Sequence, residues 1–270
     1  MILFYIFILG ACIGSFLNVC IHRLPRELSL IRPRSSCPSC SKPIPWYDNI
    51  PILSYFLLQG RCRFCNRKIS FRYVFVEILT AMLSVLIWSQ GQTAGLDFQM
   101  IVIKLILTYA LIVVSVVDWE FYIIPNEITY AGFVLGLIFA VIFPQHLGTH
   151  HSGQALFYSL LGACIGAGSL WLIGWIAKVF MKKEAMGLGD VKLMGMVGAW
   201  LGWKAAIGSI MLASILGAVI GICFVMMRKL YLESRLAFGP FLSIGVFVFM
   251  MWGDSLLAWY SKMLYSVGCI

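Results

Sequence analysis

The sequence predicts an all-α polytopic membrane protein of about eight transmembrane helices, with a cytoplasmic zinc-knuckle loop after the first helix. Three observations carry that prediction. Of 270 residues, 61% are hydrophobic and only 11% are charged, and the mean hydropathy is +0.93, a balance far from that of a soluble globular domain. Apolar stretches of roughly 20 residues, the length that crosses a hydrocarbon core about 30 Å thick, recur along the chain. Two Cys-x-x-Cys pairs sit 21 residues apart in the longest polar interruption.

In chain order, spans are expected at about 2–21, 73–90, 98–117, 127–144, 153–180, 205–227 and 240–260, with a short eighth at 191–203. No basic residue precedes the first span, and His22, Arg23 and Arg26 follow it. It is therefore expected to stay as a membrane helix rather than be removed as a signal peptide. Leu9-Gly10-Ala11-Cys12 has the outline of a lipoprotein site, but without a basic leading region Cys12 reads as a small apolar helix residue. Three segments result: the first helix (1–22), a polar loop domain (23–72), and a helical bundle (73–270).

Orientation follows from the cations, because loops rich in Lys and Arg stay in the cytoplasm. Ten lie from Arg23 to Arg72, four more are Lys178, Lys182, Lys183 and Lys192, and three are Arg228, Lys229 and Arg235. All seventeen fall on one side if the amino terminus is extracytoplasmic and 191–203 crosses, through locally thinned bilayer. The formal charge of +9 is then accounted for by membrane orientation and attraction to anionic lipid headgroups, and no nucleic-acid partner is needed.

The same topology brings two carboxylates to one face. Asp118 ends the third span, Asp190 begins the short segment in MGLGDVKL, and an even number of crossings separates them. Each has an ordinary alternative, Asp118 as an interfacial charge beside Trp119 and Asp190 as a helix cap. Ionisable groups at membrane depth are costly enough to mark function. Two close carboxylates share a proton, so that one serves as base and the other as acid, which is the equipment for peptide hydrolysis by water. Gly187 and Gly189 leave room for an extended peptide to approach. No Gly-x-Ser-x-Gly or His-Glu-x-x-His stretch competes, and His146, His150 and His151 read as a solvated outer loop.

Cys37, Cys40, Cys62 and Cys65 have the spacing of a four-thiolate zinc site. Two disulfides are the rival reading, disfavoured by a reducing cytoplasm. Cys12, Cys20, Cys164, Cys223 and Cys269 lack partners at such spacing and read as packing residues.

Taken together, GSFLNVCIHRLP (14–25), the paired CxxC knuckles, ISFRYVFVE (69–77), DWEFYIIPNEIT (118–129), AMGLGDVKL (185–193) and FGPFLSIG (238–245) resemble the type IV prepilin peptidases of pilus and type II secretion systems. Ala185, where relatives often have glycine, is a small departure. The resemblance implies an aspartic dyad at Asp118 and Asp190 and a metal knuckle at the four cysteines. It implies prepilin or pseudopilin substrates with a basic leader and a hydrophobic helix, and a bacterial inner-membrane location with the site at the cytoplasmic face. It further implies methylation of the new amino terminus by S-adenosylmethionine. That donor leaves no glycine fingerprint in the chain, and Gly60, Arg72 and Glu77 are only weak candidates, whose plain roles would be a turn, a positive-inside charge and an interfacial ion pair. Rival functions are a proton-coupled transporter using the two aspartates, a zinc scaffold without activity, and a presenilin-type intramembrane protease, which shares Gly-x-Gly-Asp. The transporter predicts inverted repeats that the motifs lack. The zinc loop and the IIPN stretch favour the prepilin enzymes.

Overall fold

Apolar runs become helices because a chain that leaves water must satisfy its own backbone N–H and C=O groups. The computed structural model describes residues 1–181, 186–227 and 237–266. Its α-helices are α1 (Ile2–Arg23), α2 (Leu53–Leu57), α3 (Phe71–Thr93), α4 (Phe98–Phe121), α5 (Asn126–Ile142), α6 (Ser152–Met181), α7 (Leu188–Met226) and α8 (Gly239–Ser266). Among the described residues, six of these are long and apolar enough to cross a membrane, and α5 is a shorter apolar helix. The cations Lys182, Lys183, Arg228, Lys229 and Arg235, the departure at Ala185, and Cys269 lie outside the described residues.

The chain forms two units, Met1–Val113 and Val114–Ile270, with the boundary inside α4. In the first unit, α1 packs along α3 through Gly10 and Gly14, one turn apart. A Cβ at either would stand 2.8 Å from a backbone Cα of α3, at Ala81 or Glu77. The absence of side chains thus sets how closely the two helices approach. Between them the polar loop folds as two short hairpins on the same plan. Each closes with a bridge, Ser36 to Pro43 and Arg61 to Lys68. Each has a left-handed residue just after its second cysteine, Ser41 and Asn66. Cys37 N–H donates to Lys42 O and Cys62 N–H to Arg67 O, at 3.0 and 2.9 Å. The second hairpin runs straight into α3, whose first turn is capped by the Ser70 hydroxyl accepting from Arg72 N–H.

In the second unit, the spans read at 191–203 and 205–227 are continuous in α7, but the chain breaks at Gly202, where φ is 77° and ψ 176°. The break is a reversal. A Cβ on Gly166 of α6 would collide with the Met194 carbonyl and lie 3.3 Å from the Ala206 Cβ, whereas a straight helix would hold those two residues roughly 18 Å apart. Gly202 supplies the positive φ that other residues resist. The first arm of α7 runs alongside α5, with Trp200 Nε1–H donating to Gly132 O at 2.6 Å. It crosses α6 where Gly162 and Gly198 face each other, with no room for a Cβ on either. The second arm returns against α8, where Gly208 meets Phe249 and Gly245 meets Ser209. The expected separate short segment therefore exists, as one arm of a helical hairpin.

The outer loop departs from expectation in one respect. His150 and His151 are exposed, but His146 is half-buried and its Nδ1 lies 2.6 Å from Phe143 O. Burial pushes that imidazole below the usual histidine range, and hydrogen bonds to the backbone of Phe143 and Trp200 only partly offset it. Of the cysteines outside the knuckles, Cys20 is buried, whereas Cys12, Cys164 and Cys223 are exposed on apolar helices.

Candidate active site and metal centre

Asp118 lies in the last turn of α4 and is only 6% exposed. Its Oδ2 accepts a hydrogen bond from Gly239 N–H at 2.8 Å, the first residue of α8. Unpaired N–H groups at a helix start carry partial positive charge, so α8 points its favourable end at this carboxylate. A side chain on Gly239 would force a shift, because a Cβ there would stand 2.7 Å from Oδ2.

Asp190 occupies the first turn of α7, and its carboxylate hydrogen-bonds back to the Gly187 backbone. That is the reach-back contact of a capping box, so the capping role weighed for Asp190 is present alongside any other. Asp118 is the charged group that acts on it. The two aspartates, 72 positions apart in sequence, are thus neighbours in one unit, each at a helix amino terminus. Among the described residues, a Cβ on Gly187 would meet Asp190 Oδ2 at 3.5 Å and Gly189 N at 3.9 Å, both ordinary contacts. A Cβ on Gly189 would lie 3.0 Å from Ile124 Cβ, so this glycine also lets the start of α7 pack against the segment before α5. Lys192 Nζ completes the rim by donating to Asn126 Oδ1 at 2.9 Å while lying 5.2 Å from the Tyr130 ring centroid. Gly239 and the Lys192–Asn126 tie were not singled out from sequence. Their only signal was membership in FGPFLSIG, AMGLGDVKL and DWEFYIIPNEIT.

In the first unit the four cysteine sulfurs lie within 4.8 Å of one another, with Cys37 Sγ and Cys65 Sγ 3.8 Å apart. Four thiolates bonded at about 2.3 Å to a tetrahedral ion would stand about 3.8 Å apart, so the cluster can hold one metal ion. Burial pushes the Cys37 thiol up, but the backbone at Ser39 and Cys40 and the thiols of Cys62 and Cys40 outweigh it and bring it down to about 6. For Cys65 the Arg67 backbone pulls the other way, yet burial and the three other thiols push it up to about 11. One thiolate held by its neighbours' protons is a ready first ligand. Arg63 braces the second knuckle on Asp48 with two hydrogen bonds of 2.7 and 2.6 Å.

Beside the cluster is a cavity of about 630 Å³ lined by residues from Ser15 to Glu77, Arg72 and Glu77 among them. Gly60 is a turn residue with φ +64°, packed under Tyr55, and it does not line the cavity. Arg72 lies with its guanidinium 4.9 Å from the Tyr73 ring centroid. The partners of Glu77 are not those of the interfacial ion pair named as its plain role. Its Oε2 accepts from Ile52 N–H at 2.7 Å, and Ser15 bonds the carboxylate as well.

Residues 8–90 match the family described as Bacterial Peptidase A24 N-terminal domain, and residues 105–222 match the Type IV leader peptidase family. The chain is similar to the "Prepilin leader peptidase/N-methyltransferase" of Aeromonas salmonicida, 36% identical over 280 residues, covering 94% of this chain and 92% of that protein. The protein of the same name in Pseudomonas aeruginosa is 34% identical, covering 94% and 91%. The one in Myxococcus xanthus is 37% identical over 218 residues, covering 81% and 62%. No solved structure matches. With both family regions in the expected order and relatives aligned nearly end to end, the chain belongs to the type IV leader peptidase family.

Proposed function

We propose that this protein is an aspartic endopeptidase of the bacterial inner membrane. It removes the short basic leader from type IV prepilins or type II secretion pseudopilins at the cytoplasmic face, and it methylates the amino terminus so exposed. The substrate class and both activities follow the names of its relatives. The observation that carries the mechanism is the juxtaposition of Asp118 and Asp190 at two helix amino termini.

One aspartate, as carboxylate, takes a proton from water as the water oxygen attacks the scissile carbonyl. The other, as acid, donates to the carbonyl oxygen. Collapse of the tetrahedral intermediate, with proton return to the departing nitrogen, frees the new amine, and no covalent enzyme intermediate forms. Gly239 N–H holds Asp118 by one oxygen and leaves the other for the reaction, and the Gly187 backbone orients Asp190. Gly187 and Gly189 keep the approach to the dyad clear for an extended peptide. Because cations from Arg23 to Arg72 mark the cytoplasmic side, the amino terminus is extracytoplasmic and the dyad faces the cytoplasmic rim, where a leader meets its membrane helix.

Zinc is the metal we assign to Cys37, Cys40, Cys62 and Cys65, where it ties the two knuckles together. S-adenosylmethionine, when bound, supplies an electrophilic methyl group. Gly60, Arg72 and Glu77 are the weak candidates for its site, and of these Arg72 and Glu77 line the cavity beside the cysteines.

The test uses Asp118→Asn and Asp190→Asn enzymes with a co-expressed pilin. Each is expected to insert normally and to lower cleavage by at least about 1,000-fold, since half of an acid–base pair is gone. Pilin processed at the parent rate by either variant, read by mass spectrometry of its amino terminus, removes the dyad.

A further inference from the structure

Ten Lys and Arg lie from Arg23 to Arg72, yet the stretch from Asn49 to Gly60, between the two cysteine pairs, carries no charge at all. Three of its apolar side chains, Leu53, Phe56 and Leu57 of α2, are 52%, 62% and 73% exposed. Their i, i+3, i+4 spacing puts them on one helical face. Ser54, off that face, is buried, donating to Tyr47 O and accepting from Ile50 N–H, both at 3.1 Å. An apolar face left bare in a polar loop marks an interaction surface. The place of α2 is set from α3. Ile52, just ahead of α2, is the centre of a tight turn in which Leu53 N–H donates to Pro51 O at 2.6 Å. Its φ is 63°, a conformation that β-branched residues resist. Glu77 Oε2 accepts the Ile52 N–H at 2.7 Å and so holds that strained turn. Glu77 is the seventh residue of α3, roughly 9 Å along the axis from its start at 1.5 Å per residue. The Tyr55 ring, 6.4 Å from the Phe71 ring, carries the apolar surface onto α3, where Phe71 and Phe75, one turn apart, are exposed.

We infer that α2 is an interfacial wedge: Leu53, Phe56 and Leu57 insert into the lipid leaflet in which α1 ends and α3 begins, and hold the two cysteine hairpins that flank α2 against the membrane surface. Interfacial helices bury their apolar face about 5–10 Å into the boundary between headgroups and acyl chains, and the Glu77 bond sets α2 at that depth along a membrane span. The bare face continues the lipid-facing side of α3 through Tyr55, Phe71 and Phe75. Lys42 and Arg61, the nearest cations before and after the uncharged stretch, are exposed and complement anionic headgroups above the wedge. The wedge holds whether or not either enzymatic activity does, since it needs only the membrane location.

The test adds a reporter to the full-length, zinc-loaded protein in nanodiscs of phosphatidylcholine and phosphatidylglycerol. Phe56→Trp and Leu57→Trp each bring one indole to the nine of the parent, and the emission of that indole is the difference between variant and parent. Zinc content and unfolding temperature are measured for both, and the second variant stands in if the first loses its fold. With phosphatidylcholine brominated near the headgroup end of its acyl chains, the added emission is expected to fall at least about twofold, as for an indole seated at the membrane interface. Iodide in the water is expected to reduce it less. Iodide quenching that exceeds the lipid quenching overturns the wedge. Emission reached by neither quencher also overturns it, since a second copy or a pilin helix then covers the face.

Discussion

Gly239 holds Asp118 with its backbone and leaves no space for a side chain beside it. Gly239→Ala would place a methyl group 2.7 Å from Asp118 Oδ2, so either the carboxylate swings away or α8 shifts outward. Catalysis tolerates neither, since displacement of about 1 Å costs on the order of 100-fold. The Gly239→Ala enzyme is expected to lose about that much cleavage rate, measured at matched membrane levels, while inserting normally. The two aspartates could be read from the sequence because a charge stands out in an apolar chain and topology returns both to one face. Gly239 could not, since it acts through its backbone and its partner lies 121 positions away. The partner of Glu77 is not legible in the sequence either, because an ion pair is the ordinary fate of an interfacial carboxylate, whereas the Ile52 N–H from which it accepts lies 25 positions away.

Among the helices, the crossing of α6 and the first arm of α7 depends on two bare positions. Gly198→Ala would drive a Cβ into the Gly162 carbonyl, and overpacking of this kind costs about 1–3 kcal/mol or more. At Gly195 the nearest atom is Ala167 Cβ at 3.4 Å, ordinary contact. Thermal unfolding in detergent is expected to show Gly198→Ala clearly destabilised and Gly195→Ala within about 1 kcal/mol of the parent. Helix positions were legible from hydropathy, with α6 matching to within one residue at each end and α4 starting where expected. The relation between 191–203 and 205–227 was not, because a glycine among apolar residues looks the same whether it continues a helix or reverses it. His146 escaped for a similar reason: its place in a short connection between two apolar helices does not mark it as buried, and what buries it comes from elsewhere in the fold.

For the molecule as a whole, chemistry is divided between units, with the cysteine cluster and cavity in Met1–Val113 and the aspartates in Val114–Ile270. Replacing Cys37 and Cys62 together by serine is expected to release the metal, read by elemental analysis, and to depress methylation at least tenfold more than cleavage, read on the same pilin by mass spectrometry. Equal losses would mean the knuckles serve both steps. The cysteine cluster was legible in the sequence because four thiols on two short turns form a local pattern. The cavity beside it was not, since its walls come from α1, the hairpins and α3 together. The reversal at Gly202 reaches beyond the protein. The arm from Leu188 to that glycine spans roughly 21 Å at 1.5 Å per residue, and its companion α5 has 17 residues, against a hydrocarbon layer of about 30 Å. Lipids beside this pair must shorten or tilt to meet it. Acyl-chain length thereby becomes a control on the enzyme: in reconstituted vesicles, cleavage should be faster in short-chain than in long-chain phospholipids of the same headgroup, and a membrane that thickens would slow pilin maturation with no change in the protein.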